Sequence, residues 1–554
     1  MNQMNSPFEV FDRASFNFRK YLILPFVVLL MNYYNLLFSR RLLGDTGDAR
    51  LSIAIYEHWF RFFQGKESLN STAFFYPAKG TLGLTDGFFV PGAFHSFFRF
   101  LGFSIVNSWT ITNDLILFIG LIGVSRLGSR FIKNEFALFC FVLITSIGYP
   151  FVTQLGHIQT LGYLAVFWFL DSIYLIQNGN KRQKQYSTAI LFLGLPLLAL
   201  SAWYPFALLL LLTSLSYVIL VVSRSKKIYP GIQTDIVRFL ALNRKFYTFG
   251  LRAWGLTLAS IFLWVIWAWV YSPAFFALKN HPWSEINFYS PRLGDLINAS
   301  YRSSGIEKVI YAKLHLSSAP TYERALGLTI GLTLISIFVL SAIVRKLKII
   351  REKDRRLALC TLTLAILPLL ILVQDEFGHS AWFPFWKIIP GAESIRAPYR
   401  ISIYCSWILV GLFFYLIQDV NRVLLISITA LMLIDTTRAL PLDWKKDAFL
   451  PTNTTKIVSQ LGANNCSAFY VRPLNNGDNT FFQIDNEIIA TFSQVPTVNG
   501  YSGNFARGWN SGLNPASDVE IVKWLKLNHA NKSDNVCIFD YSGHYLNSLN
   551  SAIK

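Results

Sequence analysis

The chain has 554 residues, 53% of them hydrophobic and only 15% charged, with 48 Phe, 25 Tyr and 15 Trp. Soluble chains average nearer a quarter charged, so a soluble enzyme, a disordered scaffold and a small disulfide-stapled module are excluded. The net charge of +19 could suit a nucleic acid, but the Lys and Arg residues sit in short segments between apolar runs, where they orient a membrane protein. No nucleic-acid partner is expected.

A crossing of the hydrocarbon takes roughly 20 apolar residues. The first such run covers 21–39 and lacks a small-residue cleavage site, so it reads as a retained span rather than a signal peptide. Behind it comes Gly44-Asp45-Thr46-Gly47-Asp48, and residues 48–64 alternate apolar and polar positions at helical spacing, which predicts an amphipathic helix in the membrane interface. Asp45 and Asp48 are the candidate catalytic residues. A carboxylate there could take a proton from an incoming hydroxyl, or the pair could ligate a divalent metal ion. The competing reading has Asp48 capping the helix and Asp45 solvated. Asp86 is either a substrate-binding carboxylate near the same surface or the N-cap of a short apolar helix over 88–103, which Pro91, Gly92, His95 and Arg99 interrupt.

Ten more apolar runs follow, at 106–125, 136–153, 158–177, 187–202, 204–222, 251–271, 325–344, 357–373, 399–417 and 422–437, giving eleven spans. If 88–103 does not cross, the basic clusters around Arg126, Lys181, Arg224 and Arg345 all join Arg13, Arg19 and Lys20 on one side, the cytoplasmic one. The long connections 40–105, 272–324 and 374–398 then face outward. Asp114, Asp171 and Asp435 lie within spans and should face protein or water, with Asp114 the nearest of the three to the outer surface.

Two outer connections carry further candidates for substrate binding. Gly156-His157-Ile158-Gln159 occupies a very short turn, and His157 and Gln159 can hydrogen-bond a sugar hydroxyl or a phosphate oxygen. Without a second ligand at metal spacing, zinc is not expected. Pro398 suits the first position of a helix whose positive dipole end faces outward. Arg396 and Arg400, four apart, would share a face there and suit a phosphate or carboxylate, unless they snorkel to lipid headgroups or Glu393 pairs with one of them.

From 441 the composition becomes that of a soluble protein. Residues 441–554 predict a small extracytoplasmic α/β domain, with strands over 467–472 and 536–541 and a helix over 517–528 with Ser517 as N-cap. Cys466 and Cys537 each precede a strand, and outside the membrane they could form a disulfide or remain thiols. The stretch Pro496–Asn504 reads as a tight turn that shapes this domain.

A retained first span, an acidic first outer loop, interfacial helices in loop 40–105, many further spans over 1–440 and an exterior C-terminal domain resemble the GT-C-type glycosyltransferases, which include protein O-mannosyltransferases and aminoarabinose transferases. More narrowly, 156–159, 395–400 and 496–504 look like a largely uncharacterised group of bacterial membrane proteins regarded as GT-C-like. The resemblance implies an all-α polytopic membrane domain followed by the small α/β domain, in a bacterial inner membrane. It further implies a polyprenyl-phosphate sugar as donor, a glycan, lipid or protein as acceptor, and Asp45 or Asp48 as general base or metal ligand. A lipid-linked glycan flippase and a non-catalytic assembly factor are the alternatives. Transporters often show internal repeats, and none is evident here.

Overall fold

The computed structural model describes residues 18–38, 41–225, 251–277, 281–297, 323–345, 352–389, 392–436, 444–445, 449–473, 480–504, 506, 508–509, 517–531 and 533–549, with 309 and 312–313. The basic segment 226–245 and the N-terminal Arg13 lie outside the described residues. Each of the eleven apolar runs is helical. In chain order these helices are α1 (Leu24–Phe38), then, after α2 (Asp48–Phe63) and α3 (Phe89–Phe100), α4 (Ile105–Phe131), α5 (Glu135–Ile147, extended by a short turn to Gln154), α6 (Ala165–Asn178), α7 (Lys181–Ser201), α8 (Trp203–Ser225), α9 (Leu251–Ala277), α10 (Ile330–Val344), α11 (Glu352–Leu372), α12 (Ser402–Ile417) and α13 (Arg422–Thr436). Among the described residues, five helical stretches are long and apolar enough to cross a membrane: 105–131, 135–154, 158–178, 254–272 and 398–417; three shorter apolar helices accompany them.

Local chemistry sets the ends of these helices. Asn134 caps α5 by accepting the N–H groups of Phe136 and Ala137, and Asn180 forms a reciprocal capping box with Gln183 at the start of α7. The outer face of α9 exposes Trp254, Leu258, Phe262 and Trp269, an apolar stripe suited to lipid. The charged residues at the far end of α4 are satisfied in place: Arg126 and Arg130 both bind the buried Asp171 carboxylate, at 3.0 and 2.7 Å. Asp435 accepts the Gly331 N–H at the start of α10.

The C-terminal segment builds α14 (Thr454–Ala463), α15 (Thr480–Ser493) and α16 (Asp518–Leu527) around a sheet. Ser517 and Glu520 close a capping box on α16. A two-stranded ribbon, β1 (Arg41–Leu42) with β2 (Trp444–Lys445), ties the start of the first outer loop to the chain beyond α13. Strand β3 (Ala468–Val471) runs parallel to β4 (Val536–Phe539), which pairs antiparallel with β5 (Tyr545–Ser548). Cys466 and Cys537 are joined in a disulfide, with Cα atoms 5.7 Å apart.

The sheet continues into the membrane part. Phe469 on β3 exchanges backbone hydrogen bonds with 496–498, and residues 73–76 of the first outer loop bond the other edge of that strip, through Thr497 N–H to Ala73 O (2.8 Å) and Tyr76 N–H to Thr497 O (2.9 Å). The hydrophobic core accordingly runs without a break from Leu117 and Tyr399 among the spans to Ile484, Val498 and Trp524 beyond 441.

Residues 48–64, read as an amphipathic helix, form α2, and protein covers both of its faces. Residues 49–60 of α2 are all buried. Its polar stripe, which water or headgroups would otherwise solvate, is covered by α3 and α15: Arg50 pairs with Asp485 (2.5 Å), and Glu57 with His95 and Arg99 (both 3.0 Å).

Candidate active site

The first outer loop turns into α2 through Gly44-Asp45-Thr46-Gly47. Gly44 sits at φ +103°, and a Cβ there would lie 2.2 Å from that of Ala49, so the turn requires glycine. The Asp45 carboxylate closes the turn by accepting the N–H groups of Gly47 (2.9 Å) and Ala49 (3.5 Å). Asp48, one turn on, lines a cavity of about 290 Å³. The competing sequence reading is thus reversed: Asp45 does the capping, and Asp48 is left for the cavity. Burial raises the Asp45 pKa, with the neighbouring Asp48 charge adding to the effect and His157 opposing it.

Behind Asp48 stands a line of buried charges. Asp48 Oδ2 lies 2.5 Å from His157 Nδ1, and His157 Nε2 lies 3.6 Å from Glu323 Oε1. Glu323 in turn accepts from Arg400, through Nε at 3.1 Å and a shorter contact from Nη2. Burial and the Arg400 charge both oppose protonation of His157, but Asp48 and Glu323 outweigh them and its pKa rises to about 9. Burial also disfavours ionised Asp48, yet His157, Arg396 and Arg400 together bring its pKa below the ordinary value. For Glu323 the same contest, won mainly by Arg400, ends at about 2. At neutral pH the line reads carboxylate, imidazolium, carboxylate, guanidinium.

Of the seven candidate site residues, Asp48, Asp86, Gln159, Arg396 and Arg400 line the cavity, while Asp45 and His157 support it from behind. Asp86 does not cap the apolar helix α3, whose N-cap Phe88 sits in the left-handed region at φ 48° with no side-chain cap. It instead accepts the N–H of Trp203, the first residue of α8, at 2.5 Å, and burial raises its pKa to about 6. Pro398 does open a helical turn, but a 3-10 one over Pro398–Ile401 that leads into α12. Arg396 precedes that turn across Ala397, at φ −118° and ψ 72°, so the two arginines share the cavity without sharing a helix face. Arg400 is paired with Glu323, and Arg396 lies 3.8 Å from Glu285 with its guanidinium 5.3 Å from the Tyr289 ring centre. The Tyr204 hydroxyl accepts the Arg396 N–H (2.8 Å), so a side chain satisfies this backbone donor.

Asp45 Oδ1 accepts two amide N–H groups and Asp48 Oδ2 faces His157, so each carboxylate already has one oxygen engaged. Among the described residues, no three His, Cys, Asp or Glu side chains are grouped to hold an ion.

Several residues of the site were not candidates from the sequence. Glu323 lies in a long outer connection 77 positions from Arg400, with no motif around it. Tyr501, Gly503 and Asn504, in the stretch read as purely structural, line the cavity. Their loop is pinned by α15: Glu487 accepts the Tyr501 N–H at 2.5 Å, and Gln483 accepts from Asn499 and Gly500.

No described protein family matches this chain, and neither does any curated protein. Among solved structures, the Archaeoglobus fulgidus oligosaccharyltransferase, crystallised with zinc and sulfate, aligns over 87% of this chain at a TM-score of 0.43 and 12% identity. The chain spans 62% of that protein's length.

Proposed function

We propose that this is an integral-membrane glycosyltransferase of the GT-C type, which moves a sugar from a polyprenyl-phosphate donor to an extracytoplasmic glycan, lipid or protein hydroxyl, with inversion. The observation that carries this reading is one cavity holding an ionised carboxylate, Asp48, together with the Arg396 guanidinium, each close enough to act on the other's charge. Asp48 takes the acceptor's proton as the acceptor oxygen attacks the anomeric carbon. The bond from that carbon to the phosphate oxygen breaks, and its electron pair leaves with the phosphate. Arg396, helped by Arg400, stabilises that charge. A phosphate leaving group needs no second carboxylate to protonate it, unlike the paired acids of glycosidases. His157 keeps Asp48 ionised and oriented, and Glu323 does the same for Arg400. Eleven crossings with the N-terminus in the cytoplasm of a bacterium would set this cavity at the outer surface of the inner membrane, where polyprenyl carriers present their sugars.

The test is incubation of purified protein in lipid nanodiscs with labelled polyprenyl-phosphate sugars and an extract of envelope acceptors. Covalent transfer is expected, and Asp48→Asn should lower it by roughly 10²- to 10⁴-fold, the usual contribution of a general base. Passage of lipid across vesicles without covalent transfer would replace this reading with a flippase. Neither activity, with the protein still required for glycan assembly, would replace it with an assembly factor.

A further inference from the structure

One corner of the cavity is built differently from the charged line at Asp48. Trp203, Trp267 and Tyr271 stand together there, with Trp203 stacked on Trp267 at 5.6 Å and 26° and tilted against Tyr271 at 6.3 Å and 35°. All three line the cavity, and so does Asp86. The corner is held from several directions. Trp203 gives its backbone N–H to Asp86 Oδ1 and its indole N–H to Ser394 (3.1 Å). The Tyr271 hydroxyl accepts the N–H of Gly87 (2.9 Å), and a Cβ on Gly87 would come within 2.5 Å of Leu200 O, so the chain beside Asp86 is tightly fixed. Asp86 is 8% exposed, and among the described residues Trp203 N–H is the donor the structure gives its carboxylate. A rigid aromatic wall beside a buried carboxylate with remaining acceptor capacity is complementary to a ring with one apolar face and an edge of O–H donors.

Resting on the transferase reading above, we propose that this corner is the subsite for the donor's sugar and that it takes an uncharged, hydroxyl-rich pyranose. The C–H face of the ring lies on Trp203, Trp267 and Tyr271, and adjacent hydroxyls donate to Asp86. The charges of the cavity select against a uronic acid. Asp48, Asp86 and Glu393 already place three carboxylates there, and both arginines are engaged, Arg400 by Glu323 and, with Arg396, by the phosphate. An acidic sugar would set a fourth carboxylate in this cavity, beside Asp86, and a buried like-charge contact of that kind is strongly disfavoured.

The test compares transfer from polyprenyl-phosphate carrying a neutral hexose with transfer from the same lipid carrying the matching hexuronic acid. The wild type should favour the neutral donor by at least about tenfold in kcat/KM. Asp86→Asn keeps an oxygen for the Trp203 N–H and removes the negative charge, so it should narrow that preference by about tenfold, through a higher KM for the neutral donor and a lower one for the acid. Trp267→Ala should raise KM for both donors alike. A wild type that uses both donors equally or prefers the acid, an unchanged preference in Asp86→Asn, or an unchanged KM in Trp267→Ala would each overturn the subsite while transfer itself stood. Transfer of neither donor would overturn the parent reading and this one with it.

Discussion

At the scale of single residues, the pH dependence follows from the charged line behind Asp48. His157 has its pKa raised to about 9, so its attraction to Asp48 is fully present below the ordinary histidine value and is lost as the pH rises through about 9. Asp48 and Glu323 are shifted the other way; their ionised forms contribute above the ordinary carboxylate range and are lost only as the pH falls well below it. Transfer should therefore hold a plateau from about pH 7 to 8, decline below it as Asp86 protonates near 6, and fall above it as His157 deprotonates. His157→Gln removes the titrating group and leaves Asp48 without its strongest cation. Its rate–pH profile should lose the limb near pH 9, and the Asp48 ionisation should move up in pH with the loss of that cation. An alkaline limb that persists in His157→Gln would assign it to another group. The sequence singled out His157 and Asp48 separately. What it did not contain was their pairing, because two residues 109 positions apart carry no spacing signal for a contact.

At the scale of elements, the strip 496–500 is the joint between the C-terminal segment and the first outer loop. Gly500 faces the Phe75 ring so closely that a Cβ would lie 2.5 Å from it, and Phe75 is fully buried at a left-handed φ of 59°. Neither partner has room to yield. Gly500→Ala should cost about 1–3 kcal/mol by overpacking, read as a lower unfolding temperature of the purified protein, and should slow transfer by shifting Tyr501 away from the cavity. An unchanged unfolding temperature would show that strip and loop do not pack in this way. The elements themselves were largely legible. Apolar runs of span length, the Pro398 start, the Ser517 cap and the short apolar run at 468–471 all rest on local patterns, and the structure has a helix or strand at each. The stripe on α2 was legible too, but its partner was not. Amphipathicity states that a polar face exists, and only the packing of α15 shows that Asp485 rather than headgroups satisfies Arg50.

At the scale of the whole molecule, one end is set apart from the other by charge. Helix α4 runs 27 residues, about 40 Å at 1.5 Å per residue, from Ser104 near α3 to Arg126 and Arg130 at its far end. Those arginines, with Lys181 and Arg182 at the start of α7, mark the basic end, while the cavity, the 496–504 loop and the Cys466–Cys537 disulfide gather at the other. Positive residues stay on the cytoplasmic side, and a disulfide persists in an oxidising compartment, so both signals give the same orientation from independent physics. A single cysteine introduced at the exposed Ser542 should therefore react with a membrane-impermeant maleimide on intact cells, and one at the exposed Arg182 only after the membrane is opened. The unaltered protein supplies the background: Cys140 and Cys405 are buried, Cys466 and Cys537 are bridged, and the free, half-buried Cys360 lies within α11. Equal labelling of Ser542→Cys and Arg182→Cys on intact cells would place both ends on one side. Asp48 could then no longer be assigned to the outer surface, and the polyprenyl donor would lose the geometry that brings its sugar to the cavity.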